Sequence, residues 1–254
     1  MSEKNTILFD SHFHIITPGF PLYSNQGFTP EAFTTNDYLS RFKEYKLAGG
    51  AIVSGSFQKQ DQSYLLDALA RLGEGYVGVT QLLANAENEA ILALDRAGIR
   101  AIRFNLRRGG SEDISRIEGF AKKVHELAGW HVELYIDSSH IAPLIPTLLS
   151  LPSVSIDHLG LSKSGFRQVL MLAEKGVKVK ATGFGRLDFA PGPAIADLYQ
   201  ANPECLMFGS DLPSTRAPRP FQFEDINLIQ DVLGEPGASK VFWKNAKAFY
   251  LGQE

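Results

Sequence analysis

Two histidines one residue apart, His12 and His14, lie in the chain's first apolar run, FDSHFHI. Side chains on a strand alternate between faces, so Asp10, His12 and His14 are expected on one face. Paired imidazoles at the exit of a strand suit metal ligation or polarisation of a carbonyl; the alternative is a pair of hydrogen-bonded core histidines. Two further groups end later runs, His158 in SIDHLG and Asp211 in LMFGSDLP. A carboxylate ending an apolar run must find a partner or shift its pKa. Nearby imidazoles would give it a partner and a use as general base. Turn capping is the alternative for Asp211, and a backbone hydrogen bond for His158.

Arg103 in IRAIRFN and Arg186 in TGFGRLD also stand at strand ends. Guanidinium groups there would bind carboxylates bidentately, which points to a small carboxylated substrate, with rim salt bridges as the alternative. Ser56 and Tyr135 could donate hydrogen bonds to the same ligand. Lys180 shares a strand face with Thr182, either as a site residue or with its stem reaching solvent. Of the remaining histidines, His125 reads as surface, His131 beside Trp130 as structural, and His140 in SSH as an extra ligand candidate.

Placing these groups requires a scaffold. Strand-like runs cover residues 7–14, 50–55, 76–82, 99–105, 131–136, 154–158, 177–182 and 206–211. Amphipathic helical runs alternate with them, including 63–72, 87–97, 113–128 and 165–175, which end at Gly73, Gly98, Gly129 and Gly176. This alternation predicts parallel strands with crossover helices, and eight runs match an α/β fold, a single (β/α)8 TIM barrel formed by residues 1–254 as one domain. Long connections at 16–34 and 212–223 would form part of the rim at the C-terminal mouth. A doubly wound open sheet ranks second, because no Gly-rich phosphate loop follows the first strand.

Composition narrows the function classes. The chain has 254 residues, 44% of them hydrophobic, enough for a full core. Its net charge of -3 supplies no electrostatic reason for a nucleic-acid partner. The lone cysteine, Cys205, allows no internal disulfide and suits a cytoplasmic protein. The opening residues contain no apolar run expected of a signal peptide, and the apolar stretch 141–154 is interrupted by Pro143, Pro146 and Pro152, so no membrane span is expected. A barrel closes its core with or without a partner, leaving monomer and homo-oligomer both open.

In order, FDSHFHI, DQSYLLDALARL, AGIRAIRFNL, AGWHVELYID, SIDHLG, VKATGFGRL, LMFGSDLP and VFWKNAKAFYL resemble the amidohydrolase superfamily. Within it they are similar to the branch of 2-pyrone-4,6-dicarboxylate lactonase and related lactone hydrolases. The resemblance implies Asp211 as the base that activates water, with His12, His14 and His158 around the scissile carbonyl. It also implies Ser56, Arg103, Tyr135 and Arg186 as holders of substrate carboxylates. The expected activity is hydrolysis of a carboxylate-bearing lactone with no cofactor required. The alternative is a metal-dependent hydrolase or decarboxylase with one divalent metal such as Zn on His12, His14 and Asp211, joined by His158 or His140. A non-catalytic barrel binding an anionic metabolite is the third possibility. The fourth run offers Arg103 and Asn105 but no lysine or glutamate to bridge two metals, so a binuclear centre is not expected. Where the family often follows its last-strand aspartate with Trp-Pro-His, this chain has Leu212, Pro213 and Ser214, which alters the pocket wall beside the base.

Overall fold

Eight strands pair in parallel and in chain order in the computed structural model, which describes residues 6–252. The first five residues, and with them part of the signal-peptide expectation, lie outside that range. The strands are β1 (Ile7–Phe13), β2 (Lys46–Val53), β3 (Tyr76–Thr80), β4 (Ile99–Asn105), β5 (His131–Tyr135), β6 (Val154–Ile156), β7 (Lys178–Ala181) and β8 (Leu206–Phe208). Backbone hydrogen bonds join the two ends of the sheet: Asp211 N donates to His12 O and His14 N to Leu212 O, each at 2.7 Å. The architecture is the expected (β/α)8 TIM barrel. No helix among the described residues is long and apolar enough to cross a membrane.

Helices α1 (Thr35–Arg41), α2 (Ser63–Leu72), α3 (Asn88–Arg96), α4 (Ile117–Ala128), α5 (Ile145–Ser150), α6 (Phe166–Glu174), α7 (Pro191–Ala201) and α8 (Glu224–Ser239) follow the strands in turn. A short π-helical stretch (Lys240–Lys244) then leads into α9 (Asn245–Leu251). The helix expected over 113–128 starts later as an α-helix, because Asp113 caps a 3-10 turn at Ile114–Arg116 first. Several strands end before their apolar runs do. His158 and Asp211 leave the ladder with φ of 52° and 61°, a left-handed backbone that ends pairing.

Alternation along each strand sorts side chains between the barrel interior and the helix layer. Phe9, Ala51, Val53, Val77, Val79, Ala101 and Met207 pack inside against Tyr250 of α9. Leu8, Ile52, Ile102, Phe104, Val132, Leu134, Ile156 and Val179 belong to the larger core on the other face. The buried polar residues Arg103, Glu133, Asp157 and Lys180 alternate with these outward positions and therefore meet inside the barrel.

Asp10 corrects the expectation that it shares a face with His12 and His14. The pairing of β1 with β2 runs Asp10 to Gly50 but Phe13 to Ile52, so one extra residue bulges between them and resets the alternation. His12 and His14 face inward, while Asp10 lies outside, where Ser210 N (2.8 Å) and Ser210 Oγ (2.5 Å) donate to it. The buried Tyr38 hydroxyl of α1 lies beside it, without a hydrogen-bond partner among the described residues.

Burial pushes the Asp10 carboxyl up to about 7, against these hydrogen bonds. Its unfolded value is about 3.9. The stabilising protonated form is thus fully present below about pH 4, and its contribution is lost as pH rises through about 7. Asp10→Asn is neutral at every pH, can accept from Ser210 N and can donate to Ser210 Oγ. Urea denaturation is expected to show it at least as stable as the wild type at about pH 8. A loss above about 1 kcal/mol there would mean that the ionised carboxylate is required.

Candidate active site

At the C-terminal mouth, the ends of β1, β6 and β8 bring His12, His14, His158 and Asp211 together. Backbone bonds between the ends of β1 and β8 fix Asp211 beside the two histidines. Asp211 Oδ2 accepts from Arg186 Nε at 2.7 Å. Its Oδ1 lies 3.9 Å from His14 Nε2 and 4.0 Å from His158 Nε2 and has no hydrogen-bond partner among the described residues. The carboxylate therefore does not act as the turn cap weighed for it. Two glycines make room for this packing. A Cβ on Gly183 (φ 62°) would meet His158 Nδ1 at 2.5 Å, and one on Gly209 would meet His12 Cβ at 2.9 Å.

Hydrogen bonding sets how each imidazole is presented. His14 Nδ1 sits 2.7 Å from Val53 O, so it carries the proton and leaves Nε2 as a bare acceptor. His12 Nδ1 lies 3.3 Å from Asp157 Oδ1, and its Nε2 is buried without a partner among the described residues. His158 has no partner at Nδ1 among the described residues, against the backbone bond weighed for it. Burial, reinforced by neighbouring imidazoles and guanidinium groups, lowers the pKa of His14 and His158 well below the ordinary histidine value. Burial also lowers His12, opposed by Asp157. Three neutral rings and one carboxylate oxygen thus converge.

That donor set fits one divalent ion. His12, His158 and Asp211 offer ligand atoms within 4.8 Å of one another, and His14 Nε2 borders the same carboxylate oxygen. A second convergence, His12 with Glu133 and Asp157, already holds a cation. Lys180 Nζ lies 2.5 Å from Glu133 Oε2, 3.6 Å from Asp157 Oδ1 and 3.4 Å from His12 Nδ1. Lys180 is fully buried, which removes the alternative of a stem reaching solvent. Glu133 also accepts from Tyr250 Oη and pairs with His131 Nε2 at 3.1 Å, so His131 belongs to this network. Burial alone would push Glu133 up, but Lys180 and His131 outweigh it and hold the carboxyl below the ordinary range.

Both arginines singled out from the sequence are committed to carboxylates. Arg103 Nη2 donates to Asp157 Oδ2 and Nη1 to Ser54 O, each at 2.8 Å, and its guanidinium lies 5.2 Å from the Tyr135 ring centroid. Arg186 holds Asp211 and, through Nη2, Thr215 O at 2.9 Å. Ser56, Tyr135, Asn105, His14 and His158 line one pocket together with Arg103 and Arg186. His140 is exposed and bonded to Ser139, away from these groups. His125 is half-buried against Trp130 O.

Sequence reasoning missed Glu133, Asp157, Arg108 and Arg216. A signal existed for the first two, because His131, Glu133 and Tyr135 alternate with apolar neighbours in β5, as Ser155 and Asp157 do around β6. No periodicity marks Arg108 and Arg216, which reach the pocket from loops.

A family model described as Amidohydrolase matches residues 9–251. A 2-pyrone-4,6-dicarboxylate hydrolase of Comamonas testosteroni is 26% identical over 168 residues, which is 59% of this chain but only 51% of that protein. A 4-sulfomuconolactone hydrolase of Rhizobium radiobacter is 22% identical over 228 residues, covering 81% of this chain and 75% of its own length. The crystal structure of a Pseudomonas putida protein assigned as a 2-pyrone-4,6-dicarboxylic acid hydrolase superposes with a TM-score of 0.80. It is 27% identical, with 96% of this chain and 97% of that one covered.

Proposed function

This chain belongs to the amidohydrolase family, and from that premise we propose that it hydrolyses a small carboxylate-bearing lactone with Asp211 as general base. One observation carries the reading: Asp211 is clamped by Arg186 through one oxygen, while the other is buried, unbonded and turned towards the imidazoles. In the proposed reaction Oδ1 takes a proton from water as the water oxygen bonds to the lactone carbonyl carbon. Collapse of the tetrahedral adduct breaks the ring C–O bond, and the proton on Asp211 passes to the departing ring oxygen. The net change is addition of one water, giving a ring-opened acid. Arg186 orients the base, and Ser56, Arg103, Tyr135 and Arg186 hold the substrate's carboxylate. The lactone hydrolases of Comamonas and Rhizobium support this choice of bond.

A metal-dependent hydrolase or decarboxylase is the second reading, favoured by the bare Nε2 of His14 beside Asp211 and by the convergence of His12, His158 and Asp211. His12, His158 and Asp211 would hold the ion, with His14 at its edge. When bound, such an ion supplies Lewis acidity to the scissile group. A purely binding barrel has no use for Asp211.

Purified protein assayed against a panel of carboxylated lactones, with and without chelator and with elemental analysis of the same sample, tests both readings. Turnover of at least one lactone that survives metal removal is expected. Loss of turnover together with one equivalent of metal would instead favour the second reading. No turnover of any lactone in metal-replete protein would reject the first.

A further inference from the structure

The backbone that carries Asp211 lies beyond the regular ladder. β8 ends at Phe208, and Asp211 adopts φ of 61°, a left-handed conformation costly for a residue other than glycine. Such a conformation persists only where the surroundings over-determine it. The residues on either side of Asp211 show what does so here. Ser210 gives both of its donors to one carboxylate, N to Asp10 Oδ1 at 2.8 Å and Oγ to Asp10 Oδ2 at 2.5 Å. Leu212 N donates in turn to Ser210 Oγ at 3.1 Å, so this hydroxyl is tied on both sides. Asp10 Oδ1 also accepts from His12 N at 3.2 Å.

A single carboxylate thus joins the backbone of His12 to the residue before Asp211 and, through Ser210 Oγ, to the residue after it. It does so from outside the histidine face, where the bulge in β1 has turned Asp10 away from His12 and His14. The neighbouring strand presses close at the same point: a Cβ on Gly50 of β2 would meet Asp10 O at 2.8 Å. Asp10 is fully buried. Burying a carboxyl is costly, and an apolar side chain would serve packing alone. What the carboxyl adds is a set of three accepted hydrogen bonds on the seam where β1 meets β8. On the inner side of that seam Asp211 N donates to His12 O and His14 N to Leu212 O, each at 2.7 Å. Small displacements there matter, because a misplacement of about 1 Å in a reacting group can cost about 10²-fold in rate.

We propose that Asp10 and Ser210 are positioning residues for the reaction, fixing the backbone of Asp211 and His12 from outside the barrel without touching the substrate. This assignment rests on the lactone reading for the role of Asp211 as base. It depends on hydrogen-bond acceptance at Asp10, so an amide in its place serves nearly as well as the carboxyl.

The test combines steady-state kinetics with residue-resolved amide hydrogen exchange on the full chain, in Ser210→Ala, Asp10→Ala and Asp10→Asn. Ser210→Ala removes the donor to Asp10 Oδ2 and the acceptor for Leu212 N. Exchange at the Asp211 and His14 amides is expected to rise about tenfold in this variant, as the loss of a buried hydrogen bond predicts. The Leu106 amide, bonded to Tyr135 O away from this seam, is expected to exchange as in the wild type. On a lactone that the wild type opens, kcat is expected to fall about tenfold with KM within about twofold. The split follows because Ser56, Arg103 and Tyr135, which hold the substrate in that reading, stand on or beside other strands. Asp10→Ala is expected to show the same pattern more strongly. Asp10→Asn restores an acceptor for both amides and a donor to Ser210 Oγ, and is expected to keep turnover within about threefold of the wild type. If Asp10→Ala fails to fold, Ser210→Ala decides. An unchanged kcat in Ser210→Ala would overturn the proposal, and so would exchange that rises equally at Leu106, the mark of a general loss of stability. In protein that opens no lactone, faster exchange confined to Asp211 and His14 would keep the clamp and remove the lactone reading. Unchanged exchange in such protein would overturn the clamp as well.

Discussion

Asp211→Asn is expected to lower turnover by a factor of about 10²–10⁴ while the barrel stays folded. The amide keeps an oxygen for Arg186 Nε, and its NH2 group can face the Nε2 acceptors of His14 and His158. Asparagine also tolerates the left-handed backbone that position 211 adopts, with φ of 61°. What the variant loses is the capacity to take a proton from water and return it to the leaving oxygen. The same substitution weakens an ion site, because a neutral amide is a poorer ligand than a carboxylate. Rate alone therefore does not separate the two readings. Measuring kcat and metal stoichiometry on one preparation does: a base predicts lost turnover whatever the metal content, whereas an ion ligand predicts both losses together. A near-normal kcat in a well-folded variant would exclude Asp211 from both roles.

Lys180→Met is expected to cost about 3–5 kcal/mol of stability, the range for removing one partner from a buried charge network. Methionine matches much of the side chain's volume, so the loss is electrostatic. Glu133 and Asp157 would share the barrel interior with Arg103, which pairs with Asp157 and leaves Glu133 without a cationic lysine or arginine partner among the described residues. Glu133 would keep Tyr250 Oη and His131, neither of which replaces an ammonium at 2.5 Å. The double variant Lys180→Met/Glu133→Gln removes one charge of each sign and is expected to recover most of the stability. Urea denaturation of the wild type, both single variants and the double variant gives the coupling directly. If Lys180→Met stays within about 0.5 kcal/mol of the wild type, as an exposed lysine would, the buried network contributes nothing.

The order of elements and much of the site were legible in the sequence, for a local reason. Strand and helix periods, and the glycines closing helices, are properties of short segments, so eight alternating runs predict parallel strands with crossover helices, and their number favours a barrel over an open sheet, before any contact is known. His12, His14, His158 and Asp211 were visible because a polar residue ending an apolar strand must lie at the barrel mouth.

Other features depend on pairings that no segment contains. The bulge that sends Asp10 away from the histidines exists in the register of β1 against β2, not in the alternation of β1. Whether Lys180 reached solvent or stayed inside was undecidable from β7, since its partners Glu133 and His12 come from β5 and β1 and Asp157 from the end of β6. Arg103 and Arg186 were recognised as mouth residues, but closure of the barrel committed them to Asp157 and Asp211. The same closure left Arg108 and Arg216, from loops without periodicity, as pocket guanidiniums with no carboxylate partner among the described residues. Sequence thus determined which groups stand at the mouth, because burial and strand period act locally. Tertiary structure decided which charges neutralise one another, because Coulomb pairing inside a barrel joins residues 54 positions apart in the Arg103–Asp157 pair and 47 in the Lys180–Glu133 pair.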